Sequence, residues 1–461
     1  MTYRIFLILF FICCTTLVRA EATDPNALQQ LLMQQQQMLE SQQKMLTQMQ
    51  AKIAELEAKQ VAMSAEPNMT GIESKVAALQ DQQLQNSRQQ EAMSQKMEYI
   101  QNGEITWPKG MEWVKNVKFK GDLRTRYEYI DEENSDNRNR ARIRARFGFD
   151  AKVHDDVDMG MRFATSEVWG DDETSGDPVS TNQTLDDAFS KKSIWLDLAY
   201  FNWHPKDISG LNVIGGKMEN PFYRVGQNQL IFDSDLTPEG LAVQYVRPLT
   251  DSGLELFINV GGFYVDEVKS GADTSLFAGQ LGLKQTFEDK SYLAGGASLY
   301  GYSNLEGHDA LVTVDGTEKF FGNSNSDGVY TNDYDLVEFF GEYGFNICKT
   351  PAAIFASYVQ NTVAVSDQDT GWLVGASLNK LKDAGSWTIT YDYRDLEKDA
   401  VLGVFSDSDF IGGGTNGKGH RIGAGYQLTK NIQTNVTYFM DEKGNDEHDY
   451  DRFQADVIFK F

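Results

Sequence analysis

From residue 114 to residue 461, apolar and polar side chains alternate in short segments separated by turn residues. The last segment, 451–461, reads DRFQADVIFKF. Phe453, Ala455, Val457 and Phe459 take every second place, Arg452, Gln454, Asp456 and Lys460 lie between them, and Ile458 alone breaks the pattern. A period of two puts alternate side chains on opposite faces of a strand, so this segment is a strand with one oily and one polar face. Trp387, Ile389, Tyr391 and Tyr393 alternate in the same way with Thr388, Thr390, Asp392 and Arg394. Val337, Phe339, Gly341, Tyr343 and Phe345 alternate with Glu338, Phe340, Glu342 and Asn346. About sixteen such segments are expected, spaced as strands of roughly 9 to 11 membrane residues require.

The connections sort by length. Short turns fall at 154–156, 205–207, 249–252, 288–290, 349–351, 382–384 and 429–431. Between them lie mostly longer connections such as 171–187, 304–333, 397–417 and 441–449. A soluble sandwich has no reason to place its long loops at one end only. A transmembrane barrel does, with short periplasmic turns and long outer loops. The fold class expected is an all-β transmembrane antiparallel barrel of about 16 strands over 107–461, with a polar lumen that holds water.

Upstream the pattern changes period. Over 26–100, Leu28, Leu32, Leu39, Leu46, Met49, Ile53, Leu56 and Met63, then Ile72, Val76, Leu79, Met93, Met97 and Ile100, occupy the a and d places of two heptad blocks. Such a seam needs a partner helix. Pro67 separates the blocks. A periplasmic α-helical coiled coil is therefore expected over 21–106, preceded by a signal peptide over 1–20: Arg4, an apolar run from Ile5, and Ala20 before Glu21.

Composition narrows the classes. Net charge is −25 and mean hydropathy −0.44. A helical membrane protein needs apolar runs of about 20 residues, whereas barrel strands hide their hydrophobicity in alternation. The acidic balance excludes a nucleic-acid partner, which calls for a basic face. Cys13 and Cys14 lie in the leader, so Cys348 has no mate for an internal disulfide. The five histidines are scattered without metal-ligand spacing. The stretch 412–418 has GxxxxGK spacing, but Gly419 replaces the Ser or Thr and strands flank it, so it is no phosphate loop. No enzyme activity, cofactor or metal is expected.

The heptad segment, the opening barrel strand with KFKGDLRTRYEY, the Arg-alternating second strand and the segment 214–240 resemble the putative porin family of Gram-negative outer membranes. A terminal strand ending on Phe is similar to the closing strand of outer-membrane barrels. The resemblance implies an outer-membrane diffusion channel and a homotrimer. It also implies that the fifth-to-sixth connection, carrying Arg224, Asp233 and Asp235, folds inward and narrows the pore.

The charges supply the candidate constriction. Arg140, Arg142, Arg144 and Arg146 alternate with Ala141, Ile143, Ala145 and Phe147. An Arg on the lipid face at the midplane costs about 2–4 kcal/mol, so these four face the lumen. Arg124 and Arg126 precede them and Arg162 follows. Glu255, Glu338 and Glu342, on middle strands, are expected to oppose this basic wall. Asp122, Glu128 and Asp150 offer another role for the arginines, a paired ladder that stiffens the wall. The function expected is passive diffusion of small hydrophilic solutes and ions. Lipopolysaccharide and outer-membrane lipid would surround the barrel, and the coiled coil would reach towards the cell wall. The alternative is a structural tether to the cell wall with a plugged barrel.

Overall fold

The computed structural model describes residues 115–269 and 271–461. The leader and the heptad segment lie outside the described residues. Sixteen antiparallel strands form the wall. The first five are β1 (Val117–Glu132), β2 (Arg138–His154), β3 (Val157–Thr165), β4 (Ile194–Trp203) and β5 (Leu211–Lys217). Next come β6 (Glu239–Pro248), β7 (Leu254–Asp266), β8 (Thr274–Thr286), β9 (Tyr292–Tyr302), β10 (Asp335–Ile347) and β11 (Thr350–Asn361). The last are β12 (Thr370–Leu378), β13 (Trp387–Leu396), β14 (Gly417–Thr429), β15 (Ile432–Lys443) and β16 (His448–Lys460). Each pairs with its neighbours in sequence, and β16 pairs with β1 from Asp122↔Lys460 to Glu132↔Tyr450. The sheet thus closes, and closure removes the unpaired backbone edge that hydrocarbon would punish.

The period-two pattern sorts the faces. Phe119, Tyr264, Phe277, Leu299 and Phe339 point outward, each more than half exposed. Their strand neighbours Glu338, Gln280 and Ser298 are buried inside. Ile458, the residue out of pattern on β16, points inward opposite Arg124.

The long connections gather at one end: 166–193, 218–238, 303–334 and 397–416. The longest connection at the other end is 379–386. The long-loop end also holds brief links, 133–137 and 444–447.

The interior departs from the polar lumen expected. Val225, Leu230, Ile231 and Phe232 of the fifth-to-sixth connection are buried, as are Leu402, Val404, Phe410 and Ile411 of the thirteenth-to-fourteenth. They pack in one apolar cluster with the inward-facing Phe257, Tyr300, Phe340 and Phe355 of the wall. Burying each large apolar side chain contributes about 1.5–3 kcal/mol, enough to hold loops inside a barrel. Alternation alone missed this, because aromatic residues on the inner face interrupt the polar series only here and there. The lumen therefore has a filled apolar side, β7 to β12, and a charged side, β13 to β16 and β1 to β4.

Candidate functional site

The charged side is built from β1, β2 and β16 and from two loops carrying the same tripeptide. On β1, Asp122, Arg124, Arg126 and Glu128 face inward; on β2, Arg140, Arg142, Arg144 and Arg146 do. The register sets Arg124 opposite Arg144 and Arg126 opposite Arg142. Like charges directly across a strand pair repel, so the fold must supply acids between them.

Three come from the wall. Asp122 accepts hydrogen bonds from Arg144 Nε (2.9 Å) and Arg146 Nε (2.8 Å). Glu128, fully buried, meets Arg140 Nη2 at 2.6 Å and Arg452 Nη2 at 2.9 Å. Asp456 on β16 receives Arg126.

The rest come from loops. Asp233-Ser234-Asp235 sits in the fifth-to-sixth connection and Asp407-Ser408-Asp409 in the thirteenth-to-fourteenth. Both adopt the same local turn. Asp235 N–H donates to Asp233 Oδ1 (2.8 Å), and Asp409 N–H donates to Asp407 Oδ1 (3.0 Å). Asp favours this because its short carboxylate reaches the amide two residues on. In each copy the second Asp turns to the basic wall. Asp235 lies 3.7 Å from Arg146 Nη1, and Asp409 lies 2.8 Å from Arg452 Nη2 and 3.2 Å from Arg126 Nη1. The first Asp ties one loop to the other in one copy and to the wall in the other. Asp233 accepts from Ser408 N–H (2.8 Å), and Asp407 accepts from Arg394 Nη1 (2.7 Å). Thr181 Oγ1 donates to Asp235 (2.8 Å) and Ser408 Oγ to Val179 O (3.0 Å), which ties in the third-to-fourth connection.

Burial and charge pull these loop acids apart. Burial pushes Asp233 well up, and the carboxylates of Asp235 and Asp407 push it further. Burial also raises Asp235, but Arg144, Arg146 and Arg124 outweigh it and hold this carboxyl below the ordinary value. Burial opposes ionisation of Asp409 too, and Arg452 and Arg126 overcome it. Asp177, in the third-to-fourth connection, is pushed up to about 6, chiefly by burial.

The other nominated residues lie elsewhere. Arg162 on β3 pairs with Asp197 and, at 2.9 Å, with Glu219 at the start of the inward loop. Arg224 folds back on its own loop, donating to Phe232 O (3.0 Å) and Asn228 O (3.3 Å). Glu338 is buried under hydroxyls of Ser298 (2.8 Å), Ser357 (2.9 Å) and Tyr300 (3.1 Å). Glu342 accepts the Gly226 N–H (2.8 Å). Glu338 and Glu342 thus sit on the apolar side of the lumen, and Glu342 anchors the inward loop. Glu255, near the short-turn end of β7, is half-buried. Sequence reasoning passed over Asp407 and Asp409, and placed Arg394 and Arg452 on polar strand faces without nominating them. The repeated Asp-Ser-Asp in two long connections was the available signal.

OprB of Pseudomonas putida, in a high-pH structure, is 12% identical with a TM-score of 0.50, over 76% of this chain and 95% of that one. A loop-deletion mutant of OmpT, an outer membrane protein of Vibrio cholerae, is 15% identical with a TM-score of 0.41, over 75% and 99%. A Rhodopseudomonas blastica porin, in triple-mutant form, is 13% identical with a TM-score of 0.42, over 75% and 100%. No curated protein matches the chain. The model of one family, described as putative porin, matches residues 129–330 and 325–461. With most of its wall inside that match and a closed sixteen-stranded barrel, the chain belongs to the putative porin family of outer-membrane β-barrels.

Proposed function

We propose that the barrel lets small hydrophilic solutes and ions cross the outer membrane passively, through a constriction lined by charge. The observation that carries this reading is the approach of one inward loop to the basic wall: Asp235 beside Arg146, with Arg124 and Arg144 next to them. A basic strand facing an acidic loop sets up a transverse field that orients polar solutes and sorts ions by sign. Arg140, Arg142 and Arg162 would extend the basic lining above and beside it. Asp233, Arg224 and Glu342 act on the loop rather than on the solute, and Glu338 is held by wall hydroxyls. A homotrimer surrounded by lipopolysaccharide, with a coiled coil over 21–106 in the periplasm, completes the proposal.

A second reading has its own observation. Connections 166–193, 218–238, 303–334 and 397–416 are hydrogen-bonded to one another, and Arg124, Arg126, Arg142 and Arg144 are each less than a tenth exposed. That suits a plugged barrel serving as a tether to the cell wall. Single-channel recording of the purified protein in a planar bilayer separates the two. Ohmic steps, with a reversal potential under a salt gradient, support the channel, and they should persist after deletion of 26–100. Silent bilayers containing folded, inserted protein would leave the tether.

A further inference from the structure

On the long-loop side of the arginine wall lies a cavity of about 480 Å³, lined by Arg138, Arg140, Arg142, Trp169, Phe321 and Tyr450 among others. Its floor carries a cation that has only a shared carboxylate as partner. Arg142 is only 7% exposed, yet the carboxylate it faces, Glu128 Oε1, is 3.7 Å away. That carboxylate is already shared by Arg140, Arg452 and Arg126. Arg142 Nε has no hydrogen-bond partner. Buried donors are nearly always satisfied, and a buried charge without a close partner is costly.

Apart from Glu128, no acid lining the cavity comes within ion-pair distance of Arg142 among the described residues. Asp409 is taken by Arg126 and Arg452, and Glu132 meets Lys443 at 3.1 Å. Asp177 accepts the Val179 amide (2.9 Å). Arg138, exposed on the same face of β2, has no ion pair among the described residues. Aromatic surface is also present: Trp169 and Phe321 lie parallel, centroids 6.0 Å apart and planes 5° apart. Guanidinium donors bind carboxylates, and ring faces take flat apolar groups.

We infer that this cavity binds a small organic carboxylate with a flat apolar body, the carboxylate on Arg142 and Arg138 and the body beside Trp169 and Phe321. The site deepens the channel reading, on which its physiological sense rests. Binding is measured at equilibrium without current, so loss of conductance and loss of binding are separate results.

The probe is benzoate, titrated calorimetrically into the full-length protein in detergent at fixed ionic strength, with acetate and inorganic phosphate in parallel. Saturable one-to-one binding of benzoate, tighter than acetate or phosphate, is expected. Arg142→Gln should weaken it about tenfold or more, the scale of a lost charged hydrogen bond. Trp169→Ala should weaken benzoate while leaving acetate unchanged, and Lys120→Gln, at the short-turn end of β1, should change nothing. Heat-dependent gel mobility reports whether each variant is folded. If Arg142→Gln does not fold, the exposed Arg138→Gln takes its place and should weaken binding about threefold. Absence of saturable binding, or folded variants that bind like wild type, would overturn the site. Phosphate binding as tightly as benzoate would overturn the organic class.

Discussion

Arg126 and Asp456 meet in parallel across the seam where the first and last strands close the barrel, Nε to Oδ1 at 2.7 Å and Nη2 to Oδ2 at 2.9 Å. Their Cα positions are partners in the β1–β16 register. The contact is both a ladder pair and a bidentate ion pair, so it specifies which register the closing strand takes. Both side chains are buried. Asp456→Ala leaves Arg126 with only Asp409 and Glu128, and should destabilise the barrel by about 3 kcal/mol, the low end for breaking a buried pair. Asp456→Asn, which keeps one acceptor, should lose less. The urea midpoint for loss of the folded gel band measures both.

Asp233 makes loop docking sensitive to pH. Its carboxyl is raised by burial and by Asp235 and Asp407, so the folded state favours the protonated form. A group raised on folding contributes fully below its unfolded value, and the contribution is lost as pH rises through the folded value. Docking of 218–238 should therefore weaken as pH increases through that elevated value. Asp233→Asn should flatten the dependence. Hydrogen exchange of the loop amides against pH reads this directly; equal slopes in wild type and variant would refute it.

Gly226 lets the inward loop lie on the wall. Its φ is +57°, and a Cβ there would come within 2.4–2.5 Å of the Phe355 ring. Gly226→Ala adds a strained backbone to a clash, together about 1–3 kcal/mol. The loop is expected to undock while the wall persists, seen as protease cleavage within 218–238 at unchanged barrel stability.

Ion selectivity tests the opposed charges at Asp235 and Arg146. One unit charge about 8 Å from an ion's path in water is worth about 0.5 kcal/mol, or roughly twofold in permeability ratio. Arg146→Gln should move the reversal potential towards cations by that amount, and Asp235→Asn towards anions. Shifts of the same sign would show that the pair does not border the path.

The sequence by itself determined the wall. A period of two, repeated about sixteen times with long connections at one end, admits few folds besides a transmembrane barrel, because one face of every strand is oily. It also assigned Arg140 to Arg146 to the inner face, since lipid would not tolerate them. The alternation is local, and so it is legible. What only the tertiary structure decided is what fills the lumen. Phe340 and Phe355 face inward by their register, but that the connection 218–238 covers them is a contact between residues more than a hundred positions apart. Glu342 looked like pore lining and instead holds Gly226, while Asp409 looked like loop and instead serves Arg126 and Arg452. Partners of a buried charge are set by which loops enter the barrel and how deep they go. That depends on total apolar burial among distant segments, which no local pattern records.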